Sequence, residues 1–459
     1  MRLLLKMLAM VSLIGCVEEV DFALDEYIKV LSLDRSSFAE RVIELENGDL
    51  MILGEIGIAA FELESTGQGT QPNELEDQAP FISIADANGN LKMLRLYPIE
   101  DFEAHYDLSD IGLGSGPLEL IDFQNKTSFH NIIQTADGGY IVHAQAVGFD
   151  LVNPITGEID YSVPDDQNFN DFLYRLNANF DVEQVITMQG APGWDFTARI
   201  RGKLREIGND QVGFLLSQRQ RLLDQQSSRG MTFLHLQANL DVVKISDIEL
   251  ETDLIAYDFA VNQASTISFL TSTDRFFEVF QMPLNEVSNA NFEQSTKNSI
   301  EIAGEAVQGQ NTDEQFIEQL DDGSYILVYT QPLLGIIFER RDQNFGLMNG
   351  PVSLRLEGLY PAGTIRATRA VSLTQNGDIL VYVLVIPGNE GLDDEEPLYG
   401  ELFRLAPSGI SLFERRIEGI PGDVIETMDG SIVAVSNPTF NGSLQKVQIT
   451  KLSASGKLD

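Results

Sequence analysis

The chain has 459 residues, 43% of them hydrophobic, which is enough for a large buried core. Its 70 acidic and 30 basic residues give a formal net charge of −40, which repels nucleic acid and anionic membrane surfaces. These numbers exclude a general nucleic-acid-binding protein. The acidic residues are spread along the chain, which favours a solubilising surface; a surface for cations or for a basic partner is the alternative.

The N-terminus has the pattern of a secretory signal. Arg2 and Lys6 accompany a mostly apolar run, 7–14, that is too short to span a membrane. The run Leu13-Ile14-Gly15-Cys16 resembles the lipobox of bacterial lipoproteins. This resemblance implies cleavage before Cys16 and acylation of its thiol. We therefore expect residues 1–15 to be a signal peptide and residues 16–37 to be a lipidated tether that leads into the folded domain.

Cys16 is the only cysteine of the chain, so the mature domain is expected to contain no internal disulfide. The acidic run Glu18-Glu19-Val20-Asp21 resembles the surface-export signal of Bacteroidota lipoproteins. The resemblance implies an outer-membrane protein, anchored by lipid alone, that faces either the periplasm or the cell surface. A cytosolic start with a chance cysteine is the alternative interpretation.

From residue 38 onward one hairpin pattern repeats. Its clearest copy is Asp322-Gly323, a turn between apolar runs, because an Asp-Gly pair supplies the positive φ angles of a tight hairpin. Related turns, two of them weaker copies without an Asx-Gly pair, bring the total to seven, near positions 47, 137, 209, 263, 322, 376 and 429.

A second hairpin pattern follows the first in most repeats. It is a leucine-containing strand, a four-residue turn that ends in Gly or Asn, and another strand. Gly and Asn tolerate the left-handed backbone that such a turn requires. The copies lie at 81–96, 172–182, 232–242, 402–410 and 449–457. Two hairpins in series give four antiparallel strands, which make one propeller blade.

The spacing of the turns predicts an all-β fold, a β-propeller of seven four-stranded antiparallel blades over residues 38–459. Six and eight blades are the alternatives, the latter with a degenerate blade within 98–125. Three loops stretch the first two repeats, at 65–78, 98–125 and 152–169. Propellers commonly close by pairing their termini, so residues 26–33 are expected to add an outer strand to the last blade.

The repeats also carry a family resemblance. Asp137-Gly-Gly-Tyr-Ile-Val142 is similar to the repeated run of bacterial, Bacteroidota-type lipid-anchored β-propeller lipoproteins. The resemblance covers residues 38–459 and implies the fold. It does not define an activity, because propellers support many unrelated functions.

Few residues indicate chemistry. The sequence has no nucleophile elbow and no phosphate-binding loop, and its four histidines lack metal-ligand spacing, so we predict no catalytic residue and no zinc or iron site. His130 and His143 flank one turn and are expected to lie near each other or to be unrelated strand residues. Asp86-x-Asn88-Gly89-Asn90 resembles the start of a calcium loop, although a predicted turn also explains it.

Trp194 is the candidate ligand-binding residue, because it follows the turn 190–193 and precedes a strand. The other strand aromatics, such as Tyr257 and Tyr382, are expected in the core.

These features predict a monomeric, non-catalytic binding scaffold at the cell envelope that recognises a protein or glycan partner through loops on one face. The alternatives are a carbohydrate-active enzyme that uses Asp/Glu pairs in the central funnel, and a helper in outer-membrane protein assembly.

Overall fold

The computed structural model confirms a β-propeller with seven four-stranded antiparallel blades. It describes residues 27–31, 36–58, 77–97, 120–122, 127–147, 149–152, 159–163, 169–188, 202–208, 210–218, 229–250, 254–262, 265–272, 276–301, 315–331, 335–354, 364–387, 398–440 and 444–456. The predictions for Cys16 and for the signal peptide lie outside these residues.

The strands are numbered in chain order. β1 (Tyr27–Val30) belongs to blade 7. Blade 1 consists of β2 (Ser37–Glu44), β3 (Leu50–Ile58), β4 (Asp77–Ala85) and β5 (Leu91–Leu96). β6 (Leu120–Asp122) lies outside the blades. Blade 2 consists of β7 (Thr127–Gln134), β8 (Tyr140–Val147), β11 (Phe169–Leu176) and β12 (Val182–Met188), with β9 (Phe149–Val152) and β10 (Ile159–Val163) between its second and third strands.

Blade 3 consists of β13 (Lys203–Gly208), β14 (Gln211–Gln218), β15 (Arg229–Gln237) and β16 (Val242–Leu250). Blade 4 consists of β17 (Ile255–Val261), β18 (Thr266–Ser272), β19 (Phe276–Pro283) and β20 (Thr296–Glu301). A 3₁₀ turn (Leu284–Glu286) and a short α-helix, α1 (Asn289–Phe292), connect β19 to β20.

Blade 5 consists of β21 (Phe316–Gln319), β22 (Tyr325–Gln331), β23 (Gly335–Arg341) and β24 (Leu347–Leu354). Blade 6 consists of β25 (Ile365–Leu373), β26 (Ile379–Ile386), β27 (Tyr399–Leu405) and β28 (Ser411–Glu418). Blade 7 takes β29 (Ile420–Glu426), β30 (Ile432–Asn437) and β33 (Gln448–Leu452), with the short β31 (Thr439–Phe440) and β32 (Leu444–Gln445) between the last two.

The ring closes through its N-terminus, as predicted from residues 26–33. β1 pairs antiparallel with β33, from Tyr27 opposite Lys451 to Val30 opposite Gln448. Leu31 follows and is 2% exposed, because it packs in the core shared by blades 7 and 1. The last blade is therefore composed of strands from both ends of the chain, which fixes the first and last blades to each other.

All seven predicted first turns are present. Gly48, Gly138, Gly323, Gly377 and Gly430 take positive φ angles in five of them. In the two weaker copies, Asp210 and Ser265 take the same left-handed region, with φ of 55° and 59°. The blade 3 copy also has Gly208 at φ 88°, whereas the described part of the blade 4 turn has no positive-φ glycine. Short polar side chains tolerate that region better than bulky ones, which explains why Ser265 can take the place of glycine in the blade 4 turn.

The second turns differ from the prediction in one respect. In blades 2 and 3 we expected an asparagine to take the left-handed conformation, but the structure assigns it to Phe180 and Leu240, both with φ of 65°. Both side chains are buried, and Phe180 stacks on Tyr140 with ring centroids 5.1 Å apart. Packing of the apolar side chain thus offsets a backbone cost of roughly 1–3 kcal/mol.

A cation on the third strand holds the first turn in four blades. The pairs are Arg175 with Asp137, Arg340 with Asp322, Arg404 with Asp378, and Lys451 with Asp429. In blade 3 the equivalent position is His235, whose Nε2 lies 2.8 Å from Oε1 of Gln211, the first residue of β14 after the turn. His235 therefore occupies a structural position within its blade.

We expect removal of β1 to destabilise the whole ring. A chain that starts at residue 36 loses the β1–β33 pairing and the buried Leu31, so its unfolding midpoint should fall by about 5 °C or more relative to a chain that starts at residue 27. Calorimetry compares the two chains, and the full mature chain from residue 16 is the control. Equal midpoints for all three would contradict closure through β1.

His235 should make stability depend on pH. Burial, and then Lys244, lower the pKa of His235 below its ordinary value. Between pH 7 and pH 5 the unfolded chain therefore binds a proton before the folded chain does, and stability decreases as the pH falls. His235→Gln should reduce the difference between urea midpoints measured at pH 7 and pH 5; an unchanged difference would contradict this role.

Candidate functional site

The propeller has two unlike faces. In each meander the first and second hairpin turns lie at the same end of the blade, here called the turn face. The opposite end, the loop face, carries the connections from second to third strands and from blade to blade. First turns contain two to five residues, whereas 30 residues (97–126) separate β5 from β7 on the loop face.

A cavity of about 600 Å³ lies in the central channel near the turn face. Residues from the first strands and first turns of blades 1 to 5 line it, including Arg41, Asn131, Arg205, Glu206, Glu318 and Asp321. The first strand is the innermost strand of each blade, which is why these side chains surround the channel.

Arg205 is the centre of the ion-pair network in this cavity. Its Nε and Nη2 donate to the two oxygens of Asp258 at 3.0 and 2.6 Å, and its Nη1 donates to Glu318. Burial alone lowers the pKa of Arg205, but the carboxylates of Asp258 and Glu318 more than offset this, so its pKa lies above the ordinary value. Arg205 therefore stays charged and joins blades 3, 4 and 5.

Asp258 also binds the backbone of the next blade. It is fully buried, and its Oδ2 accepts from the Ile317 amide at 3.0 Å. Asp423 occupies the equivalent position in blade 7 and accepts from the Val42 amide at 3.1 Å and from Arg41 Nη1 at 3.2 Å. Burial raises the pKa of Asp423, and Arg41 opposes that shift.

Asn131 in blade 2 also binds the backbone of the next blade, but as a donor, since its Nδ2 donates to the Leu204 carbonyl at 2.8 Å. Three blades thus use one position on the innermost strand to hold the next blade. These polar groups in the channel wall are explained by structure. No local pattern in the sequence indicates them, because their partners lie more than 50 residues away in the chain or across the ring closure.

A β-bulge precedes this position in five innermost strands. The register omits Glu40, His130, Tyr257, Arg369 and Gly422, one residue in each strand. Bulges redirect side chains and are frequent next to functional sites. Here Glu40 Oε1 lies 3.7 Å from His130 Nδ1, so bulge residues of neighbouring blades meet beside the channel.

The two histidines flanking the first turn of blade 2 do lie close together. The rings of His130 and His143 are 5.6 Å apart, and His143 is fully buried with its Nε2 2.6 Å from Asp171 Oδ1. His130 Nε2 lies 2.7 Å from Ser128 Oγ. Within the described ranges, no group of three or more His, Cys, Asp or Glu side chains is arranged to hold a metal ion.

The calcium-like sequence at residues 86–90 forms the second turn of blade 1. Asp86 Oδ1 accepts from the amides of Asn88 and Asn90 at 2.9 and 2.8 Å, and Oδ2 accepts from Asn90 Nδ2 at 3.0 Å. These hydrogen bonds, that from the Asn90 side chain first, lower the pKa of Asp86. The turn alone accounts for the Asp-x-Asn-Gly-Asn pattern, as the second interpretation predicted.

Trp194, the candidate ligand-binding residue, lies outside the described residues, as does the loop 65–76. Tyr257, Tyr329, Tyr382 and Tyr399 are all buried, so they belong to the core. The described segments contain no helix with the length and apolar character needed to cross a membrane.

Arg205 should contribute strongly to stability. Arg205→Met leaves Asp258 buried without its countercharge, which is expected to cost about 3–5 kcal/mol in urea unfolding. Arg95→Met is the matched control, because Arg95 and Asp181 form an exposed pair whose loss should cost less than about 1 kcal/mol. Adding Asp258→Asn to Arg205→Met should recover part of the loss. Equal costs for both arginine variants would refute this role.

No family model and no curated protein matches the sequence. Among solved structures, the Dos1 propeller is similar at 8% identity with a TM-score of 0.44, over 95% of this chain and 98% of that one. A protein of unknown function from Bacteroides caccae is similar at 12% identity with a TM-score of 0.36, over 62% of this chain and 88% of that one.

An α-L-arabinanase from Penicillium chrysogenum, complexed with arabinobiose, is similar at 9% identity with a TM-score of 0.40, over 94% of this chain and 97% of that one. Similarity this low carries no conclusion about activity. The fold class of the chain, a seven-bladed β-propeller, rests on its own blades.

Proposed function

We propose that the protein is a non-catalytic binding scaffold of the cell envelope, anchored by lipid at Cys16, which recognises a protein or glycan partner through its loop face. The observation that carries this proposal is an accessory sheet built on that face. It consists of β6, β9 and β10 and belongs to none of the seven blades.

The accessory sheet joins two separate connections. β6 comes from the link between blades 1 and 2, whereas β9 and β10 come from the link between β8 and β11. β6 pairs with β9 from Leu120 opposite Val152 to Asp122 opposite Asp150, and β9 pairs with β10. Backbone pairing between two insertions gives the loop face an ordered platform, which suits recognition.

The position of the N-terminus also supports the proposal that the loop face binds the partner. β1 starts at Tyr27 opposite Lys451, one residue before β33 ends and enters its turn, so the chain joins the propeller at the turn face. The ten residues 17–26 between Cys16 and β1 reach at most about 35 Å. A lipid on Cys16 therefore favours an arrangement in which the loop face is directed away from the membrane.

The channel wall favours binding over catalysis. Asp258 and Asp423 are buried and bound to arginines and backbone amides, so these carboxylates stabilise the ring. A glycosidase is the second candidate, because Glu206, Glu318 and Asp321 place further carboxylates on the cavity wall. Detection of new reducing ends in a polysaccharide panel, abolished by Glu206→Gln or Asp321→Asn, would support that enzyme.

The ligand class is testable by differential melting of residues 22–459 with calcium and with a panel of polysaccharides. A ligand that binds only the folded state raises the midpoint by mass action. A shift with one glycan class identifies a glycan-binding scaffold. If no compound shifts the midpoint, cross-linking on intact cells tests whether the partner is a protein. Cell fractionation tests the anchoring separately, because recovery of the chain in the soluble fraction would contradict a lipid anchor.

Removal of the accessory sheet should abolish recognition and leave the blade intact. Val147 and Phe169 are already paired at the end of β8 and β11, so an Asn-Gly turn in place of residues 148–168 can close the hairpin. We expect an unfolding midpoint within about 3 °C of the parent and loss of the ligand-induced shift or of the cross-linked partner.

The matched control makes the same replacement in blade 5, where only residues 332–334 separate β22 from β23. Binding should survive there. Retained binding after deletion of 148–168, or equal loss in both variants, would argue against recognition by the accessory sheet.

A further inference from the structure

The turn face carries a continuous groove that crosses the mouth of the channel. The central cavity of about 600 Å³ adjoins one of about 280 Å³ over blades 2 and 3, and Ile133 and Glu206 line both. It also adjoins one of about 350 Å³ over blades 4 and 5, and Asn262 and Gln343 line both. Shared walls make the three cavities one elongated groove, so its shape suits an extended chain.

The groove is acidic in net terms. Its arginines are already committed, Arg205 to Asp258 and Glu318, and Arg41 to Asp423. Two arginines and five acids line the groove, a net charge of −3; the acids are Glu46, Glu206, Asp210, Glu318 and Asp321. The buried Asp258 and Asp423 do not line the groove, but they further neutralise the two arginines. In a protein of net charge −40, this field attracts cationic ligands and repels anionic ones.

The uncharged lining favours a peptide over a sugar. Side-chain amides occur along the whole groove, at Gln134, Gln211, Gln281, Gln319 and Gln343. Amides both donate and accept hydrogen bonds, as an extended peptide backbone requires. The aromatic lining residues Phe259 and Tyr325 are 0% and 1% exposed, so they offer little ring surface on which a sugar could stack.

We propose that this groove binds an extended segment of a partner protein that carries several lysines or arginines. The site is separate from the accessory sheet and lies on the opposite face. It does not depend on lipidation or on recognition through the loop face. Glu206 and Gln343 are the positions that decide it, because each lies where the central cavity joins a side cavity.

Fluorescence anisotropy tests the proposal with three labelled 12-residue peptides, repeats of Lys-Gly-Ser, Glu-Gly-Ser and Ser-Gly-Ser. The lysine peptide should bind, more weakly at 300 mM than at 50 mM NaCl, and the other two should not. Tight binding of the neutral peptide, or displacement of the lysine peptide by a neutral oligosaccharide such as maltohexaose, would overturn the proposal, because recognition would not require positive charge.

Two double variants distinguish binding in the groove from attraction by the overall negative charge of the protein. The double variant Glu206→Gln with Asp321→Asn should lower the affinity for the lysine peptide about fivefold or more. Glu414→Gln with Glu418→Gln makes the same change of charge on exposed residues of the outer strand β28 and should weaken it less than about twofold. An equal loss of affinity in both double variants would show that the peptide responds only to the net charge of the protein, and it would overturn binding in the groove.

A steric variant completes the test without a change of charge. Gln343→Trp should narrow the junction with the blade 4 and 5 cavity and weaken the lysine peptide, while the unfolding midpoint stays close to that of the parent. Unchanged affinity in a folded Gln343→Trp protein would overturn the proposal that the ligand extends along the groove.

Discussion

A ring of blades requires each innermost strand to be fixed to the next, and in three blades a side chain on that strand does so. Asp258 and Asp423 accept the amide of the neighbouring innermost strand, and Asn131 donates to its carbonyl. Burying a carboxylate is costly unless it is paired and hydrogen-bonded. Asp258 has both kinds of partner, with Arg205 as countercharge and Ile317 as backbone donor. The polar residues of the channel therefore contribute to stability and to the contact between neighbouring blades.

The same requirement explains the closure of the ring. β1 supplies the outer strand of blade 7, and Asp423 joins the inner strand of that blade to Arg41 and Val42. Outer and inner strands thus connect the two ends of the chain at different radii. Further contacts reinforce the junction, since Asn437 is fully buried and its Oδ1 accepts from the Ala39 amide at 2.6 Å. A ring held at both radii resists opening from either terminus.

The sequence predicted the repeated hairpins well, because turn chemistry is local. Gly48 or Gly323 needs only its own φ angle to mark a turn, and the alternation around it marks the strands. The seven blades and the closing strand followed from that pattern. The copies at residues 209 and 263 were harder to recognise, since Asp210 and Ser265 take the left-handed conformation without an Asx-Gly pair.

The candidate sites depended on information that is not local. The bulges at Glu40 and His130 are properties of strand register, which a single strand does not reveal. The accessory sheet pairs β6 with β9 across the whole first hairpin of blade 2, so its segments looked like irregular loops. Phe180 was missed as a left-handed residue because its packing on Tyr140 outweighs its backbone preference. Ligand binding by Trp194 and lipid attachment at Cys16 stay predictions.

The arrangement of short and long connections separates two surfaces of different chemistry. The turn face carries short turns and paired charges, and its groove concentrates negative charge at the end of the molecule where β1 joins the ring. The loop face carries the insertions, and their pairing into β6, β9 and β10 adds backbone order without altering any blade. In the proposed function, variation on the loop face changes recognition at little cost in stability. Charge on the turn face is constrained, because Arg205 and Asp258 line or support the groove and also hold three blades together.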